Sequence, residues 1–298
     1  MKTAREAAAR IGRVGVWHHD LERLGAAAAR DTVGEIESQG YGAIWIPESL
    51  GSKEIMAHSA ILLGGGSRIV IAAGIANIWA RDPVAMANGA KTLVEAYPDR
   101  FLLGLGVSHA PVIELRGDRY RKPLERMRAY LDAMDAAPYV GPNKGDPPAP
   151  RVLAALGPAM LRLAGERSLG AHPYFVPIEH TATARAALGP DPLLAVELAV
   201  VLETDADKAR ALGRRHTKYY LRLDNYANNL RRLGWADADL ANGGSDRLVD
   251  AIVAWGDAAR IGERIAAHHA AGADHVCIQV FGDDASADLR ALAQTVLR

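Results

Sequence analysis

The chain has 298 residues, 49% of them hydrophobic, with 35 basic side chains, 35 acidic ones and a single cysteine. Balanced charge with no basic block argues against a nucleic-acid surface, and one cysteine, Cys277, excludes an internal disulfide. No apolar run is long enough to span a membrane and "MKTAREAAARIG" lacks the apolar centre of a signal peptide, so a soluble cytoplasmic protein is expected.

Short apolar runs alternate with longer amphipathic ones. Val14 to Trp17 reads as strand, Arg30 to Ser38 as helix, Gly42 to Ile46 as strand and Ile55 to Leu63 as helix. Ile69 to Ile75 is the third strand, and Pro83 opens a helix that ends before Pro98. Phe101 to Val107 follows as strand, then a helix from Leu124 to Met134. The loop "APYVGPNKGDPPAP" separates the two halves. In the second half, strands are expected at Val152 to Ala155, Pro173 to Val176, Ala195 to Leu202 and Val276 to Phe281. Helices are expected at Ala159 to Ser168, Thr181 to Leu188, Ala206 to Arg215 and Asp288 to Leu297. A helical excursion, Tyr219 to Ala271, precedes the last strand. Eight strand-helix units require parallel strands covered by helices. Eight units in this length favour an α/β chain folded as a (β/α)8 TIM barrel over an open sheet.

In such a barrel the C-terminal strand ends build the site. "RFLLGLGVSHAP" delivers Ser108 and His109 to one such end, and "IWIPESL" delivers Glu48 and Ser49. "GRVGVWHHD" ends in Trp17, His18 and His19; strand alternation sends the two histidines to opposite faces, so they are not expected in one pocket. "GAHPYFVPIEH" carries His172, Tyr174 and His180. Asn77 follows the third strand either as a ligand-facing amide or as a turn residue. Gly104 and Gly106 offer only part of a dinucleotide fingerprint; they either leave space beside a ligand or fit tight layers. Gly157-Pro158 opens a helix whose first turn is either a phosphate seat or an ordinary turn. His268-His269 is expected to face solvent. No histidine spacing matches a metal site, so none is expected.

These segments together resemble the bacterial luciferase-like flavin-type monooxygenase superfamily, and within it the actinobacterial coenzyme F420-dependent oxidoreductases. The resemblance rests on "YGAIWIPES", "AAGIANIWARDP", "DRFLLGLGVSHAP", "AALGPAMLRLAGERSLGAHPYFVPIEHTATAR" and "GSDRLVDAIVAWGD", and it covers nearly the whole chain as one domain, residues 1–298. It implies a (β/α)8 barrel with insertions, a homodimer, and a deazaflavin in the barrel mouth. It also implies a bulge with a non-prolyl cis peptide around Ala73, Gly74 and Ile75. Asn77, Gly106, Val107 and Ser108 would lie beside the cofactor, and Gly157, Pro158, Ala159 and Met160 would seat its phosphate. Some sugar dehydrogenases of the family carry Asp-His after the second strand and Gly-Glu after the fourth. Here Glu48-Ser49 and Ser108-His109 stand there, so the sugar-phosphate activity does not carry over. The expectation is hydride transfer between F420 and a small organic substrate, with His109 moving the proton and His18 or Glu48 assisting. The alternatives are an FMN-dependent monooxygenase and a non-catalytic flavin-binding paralogue.

Overall fold

Each strand reads as an unbroken apolar run because both of its faces are buried. In the computed structural model, which describes residues 1–297, one set of side chains faces the barrel axis and the other faces the helices. Trp17, Ala43, Trp45, Val70, Ala72, Leu102, Ala195 and Cys277 form the inner cluster. Val16, Ile44, Ile46, Ile71, Leu103, Val196 and Ile278 belong to the outer one.

The strands are β1 (Val14–Trp17), β2 (Ala43–Ile46), β3 (Val70–Ala73), β4 (Ala76–Asn77), β5 (Phe101–Gly106), β6 (Arg151–Leu153), β7 (Gly170–Ala171), β8 (Leu193–Val201), β9 (Val253–Trp255) and β10 (His275–Val280). All pairings are parallel. The order β10-β1-β2-β3-β5-β6-β7-β8 closes on itself because β8 also pairs with β10, from Ala195↔His275 to Val200↔Val280. The result is a closed eight-stranded TIM barrel, as the repeat rhythm implies. The helices are α1 (Ala4–Ile11), α2 (Ala26–Ser38), α3 (Ile55–Leu63), α4 (Pro83–Ala96), α5 (Ala110–Leu115), α6 (Pro123–Asp135), α7 (Pro158–Arg167), α8 (Ile178–Leu188), α9 (Ala206–Tyr220), α10 (Asp224–Arg232), α11 (Asp237–Leu240), α12 (Asp246–Ile252), α13 (Ala258–Ala270) and α14 (Ala285–Val296). A Thr3–Glu6 capping box starts α1, which packs Ala7 and Ile11 into the inner cluster. Among the described residues no helix is long and apolar enough to cross a membrane.

Five expectations need correction. The third strand is not continuous to Ile75: it stops at Ala73, turns through a cis Gly74–Ile75 peptide and resumes as β4 beside β5. The sixth strand is Gly170–Ala171, not Pro173 to Val176, because Pro173 has no N–H to continue the ladder. The excursion before the last strand is not wholly helical, since β9 pairs with the end of β8 at Ala199 to Val201. His268 is buried, with its Nδ1 2.9 Å from the Thr181 hydroxyl, rather than solvent-facing. Finally, β1 ends at Trp17, so strand alternation no longer governs His18 and His19, and both flank one narrow crevice with Asp20 and Leu289.

One clamp positions the third strand. Glu37, near the end of α2, accepts hydrogen bonds from the backbone N–H groups of Ser67 (3.0 Å), Arg68 (2.7 Å) and Ile69 (2.6 Å) and from the Ser67 hydroxyl (2.9 Å). Partial burial works against the charge, but these donors outweigh it and lower its pKa from 4.5 to about 2. The clamp therefore stabilises the fold fully above about pH 4.5 and is lost as pH falls towards 2. Glu37→Ala should cost about 1–3 kcal/mol at pH 7, since several N–H groups lose their acceptor. Urea melts at pH 7 and pH 3 should show a smaller difference between variant and wild type at the lower pH.

Candidate active site

At the C-terminal end of the barrel lies a cavity of about 360 Å³, lined among others by Trp17, Glu48, Gly74, Asn77, His109 and His172. The strands supply its floor. Gly74 and Ile75 enter it through the bulge, and Ser108 follows β5 in the left-handed region at φ 57°. Gly104 and Gly106 do not leave space beside a ligand, as one reading of them suggested. A Cβ on Gly104 would collide with the Ala73 carbonyl oxygen, and one on Gly106 would lie 2.6 Å from Ile75 Cγ1. Both glycines accommodate the bulge itself.

The wall comes from the excursion. Tyr219 and Tyr220 on α9 and Tyr226 on α10 line the cavity with Tyr174. Tyr220 and Tyr226 meet edge to face with ring centroids 5.1 Å apart. His109, the N-cap of α5, packs on Tyr226 at 5.4 Å, and its Nδ1 lies 3.0 Å from Asn225 Oδ1. Burial pulls its pKa below the usual histidine value, while the Asn225 hydrogen bond opposes that shift.

Glu48 also lines the cavity, but Arg81 holds both of its oxygens, with Nη1 3.1 Å from Oε2. Glu48 Oε2 further accepts the Asn77 backbone N–H at 2.7 Å. Asn77 Oδ1 accepts from the Trp79 N–H two residues on, so the turn reading of this asparagine is realised while the residue still reaches the cavity. The Val107 carbonyl accepts from Trp79 Nε1 at 3.0 Å. His18 is not brought to the cavity; it sits in the crevice with His19, and burial lowers its pKa to about 4.

Gly157, Pro158, Ala159 and Met160 lie outside the cavity lining and begin α7, with Gly157 as its N-cap. What sequence reasoning missed is their neighbour. A Cβ on Gly157 would have as its nearest neighbour Arg232 Nη2, at 3.7 Å. Arg232 in turn donates to Asn229 Oδ1 at 3.1 Å. Asn229 is buried and its Nδ2 has no partner; His180, buried beside Leu156, has no partner for Nδ1. Helix α10 connects the two places. Tyr226, Asn229 and Arg232 recur at i, i+3 and i+6, along one face and within about 9 Å of helix.

The model of the luciferase-like monooxygenase family matches residues 11–275. The chain belongs to the luciferase-like monooxygenase family. A putative coenzyme F420-dependent oxidoreductase of Mycobacterium tuberculosis is 34% identical over 105 residues, 34% of this chain and 29% of that relative. An F420-dependent secondary alcohol dehydrogenase, solved with an F420-acetone adduct, superposes with a TM-score of 0.77 at 15% identity, over 96% of this chain and 98% of its own. The FMN-bound oxygenating constituent of 3,6-diketocamphane monooxygenase from Pseudomonas putida superposes with a TM-score of 0.65 at 18% identity, over 94% and 96%. The luciferase-like fold is thus common to a deazaflavin protein and a flavin protein. The implied cis peptide is present at Gly74–Ile75.

Trp17 and His172, which the sequence offers at strand ends, both line the cavity. They come from β1 and from just beyond β7, and only barrel closure brings both to Gly74.

Proposed function

We propose that this protein is an F420-dependent oxidoreductase that moves a hydride between the deazaflavin and a small organic substrate, with His109 handling the proton. One observation carries the reading: α10 runs from an aromatic-walled cavity of about 360 Å³ to the start of α7, where Arg232 stands beside Gly157. A cofactor with a flat ring and a phosphate fits that plan. The seat combines free N–H groups of a helix start, the Arg232 guanidinium and the unpartnered Asn229 amide. When bound, F420 supplies the ring carbon that accepts or gives the hydride.

The chain's own residues do the rest. Asn225 orients His109 through Nδ1, which leaves Nε2 for the substrate. Burial favours the neutral imidazole, whose Nε2 takes a proton as hydride leaves the substrate and returns it in the reverse direction. Glu48 is held by Arg81 and fixes the Asn77 backbone, so its role is positioning. The homodimer implied by the resemblance belongs to the same proposal.

Fluorescence titration with F420 and with FMN tests the reading. F420 should bind the tighter; tight FMN and absent F420 binding would replace it with the flavin monooxygenase. Gly157→Val and Arg232→Ala should each weaken F420 binding about tenfold or more, the loss expected for a charge-assisted contact, with little change in melting temperature.

A further inference from the structure

Strand β7 is two residues long, and the chain beyond it is held by a side chain instead of a ladder. Pro173 has no N–H to give, and its carbonyl accepts from the Glu197 N–H on β8 at 3.0 Å. Two residues on, the Phe175 N–H donates to Glu197 Oε2, also at 3.0 Å. One residue of β8 therefore fixes the turn at two points. The turn needs fixing. Phe175 is buried and sits in the left-handed region at φ 58°, a conformation that a bulky L side chain seldom adopts. Such a residue persists only where its surroundings over-determine it.

The aromatic wall stands on that turn. Tyr174 lines the cavity, its hydroxyl donating to Gln279 Oε1 at 2.7 Å and its ring centroid 5.2 Å from that of Trp17. Phe175 stacks on Tyr220, with centroids 5.2 Å apart, and meets Tyr226 edge to face at 5.5 Å. A shift of the turn is thus felt by Tyr174, Tyr220 and Tyr226 together.

Glu197 is a costly clasp. It is buried, its Oε1 has no hydrogen-bond partner, and no charged group acts on it. The titratable groups that face it are Tyr174, Tyr220 on α9, Tyr226 on α10 and Cys277 on β10, each held in its neutral form by burial. His216, packed on Phe175 at 5.4 Å, is kept neutral as well, its pKa lowered to about 3. Desolvation raises the Glu197 pKa from 4.5 to about 8, against the opposing Phe175 bond. Below that value the clasp is a neutral acid. Above it a carboxylate is buried without a cation, and the tyrosine hydroxyls are the donors that can answer it. A tyrosine that turns to it leaves its place in the wall. We infer that Glu197 is the positioning residue of the aromatic wall: its carboxyl holds the Tyr174–Phe175 turn, and its ionisation reshapes the cavity. The effect on cofactor affinity rests on the function proposed above; the effect on the wall does not.

Near-ultraviolet circular dichroism of the purified chain without cofactor tests this. It reads the packed tyrosines from about pH 6 to about pH 9.5, below ordinary tyrosine ionisation. The wild type should show one reversible transition centred near pH 8. Glu197→Gln keeps an acceptor for Phe175 and cannot ionise, so its spectrum should stay that of the low-pH wild type throughout. Glu197→Ala orphans the Phe175 N–H, so its tyrosine signal should be weaker at every pH. Its F420 affinity at neutral pH should drop at least about fivefold, the effect of one buried donor losing its acceptor, whereas Glu197→Gln keeps both signal and affinity. Far-ultraviolet spectra confirm that each variant is folded, and Glu197→Gln alone decides the matter if Glu197→Ala is not. A wild-type spectrum that does not change over this range would overturn the inference. So would a transition that persists in Glu197→Gln, or a folded Glu197→Ala variant with the wild-type tyrosine signal. If the wild type binds no F420, the proposed function fails, and the cofactor-free spectra still decide this inference.

Discussion

His109→Ala is expected to lower turnover by about 10²–10⁴-fold, the usual contribution of a positioned acid or base, while F420 affinity stays within a few-fold. The residue lines the cavity at the end of β5 with one ring nitrogen engaged by Asn225 and the other free. A histidine that merely capped α5 would change stability instead of rate. The pH profile separates the two. Because burial lowers the His109 pKa, the acid limb of kcat/KM should lie below the ordinary histidine range. The neutral base is available above that limb and is lost as pH falls through it. The Asn225 hydrogen bond raises the pKa, so Asn225→Ala should move the limb to still lower pH. Wild-type turnover in His109→Ala, or an unmoved limb in Asn225→Ala, would reject the proton role.

Gly104→Ala should be the most damaging of the single-methyl additions near the site. The new Cβ would collide with a backbone oxygen, that of Ala73, which cannot rotate away as a side chain does. Overpacking typically costs about 1–3 kcal/mol and occasionally more. In a chain of this size that corresponds to a fall in melting temperature of roughly 2–5 °C. The collision also pushes on the segment that carries Gly74 and Ile75, so ligand affinity should fall with stability. Gly145→Ala, where a Cβ meets nothing within 4 Å, is the control and should melt like the wild type. Equal melting of the two variants would show that the bulge yields more easily than its packing suggests.

The barrel is legible in the sequence because its signals are local. Buried strands give apolar runs, and Pro83 or Gly157-Pro158 mark helix starts without reference to anything distant. Ile55–Leu63 is recovered at its observed bounds, and Phe101–Gly106 to within a residue. Gly170–Ala171 is not recovered, since two residues carry no periodicity and the pairing with Leu193 and Leu194 decides them. Val253–Trp255 hides inside "LVDAIVAWGD", where the preceding helix α12 runs directly into it.

The site divides the same way. Strand-end residues such as His109, Glu48 and Asn77 can be found by asking where apolar runs stop. Arg232 and Asn229 cannot, because nothing in "NNLRRL" says that this helix faces the turn at Gly157. The glycines of β5 mislead in an instructive way. Their spacing imitates a nucleotide motif, yet it records the path of the neighbouring strand.

Helix α10 packs in a third hydrophobic cluster, in which Tyr226 and Leu230 join Leu248, Val249 and Ile252 of α12 and Ala199 and Val201 at the end of β8. The closing ladder between β8 and β10 meets that cluster only at Ala199. Substitutions at the exposed Asn225 and Arg232 of α10 change what stands beside His109 and Gly157 without touching the ladder between β8 and β10. Tyr226 and Arg232 ride on one helix, so a tilt that widens the cavity also moves the guanidinium beside Gly157.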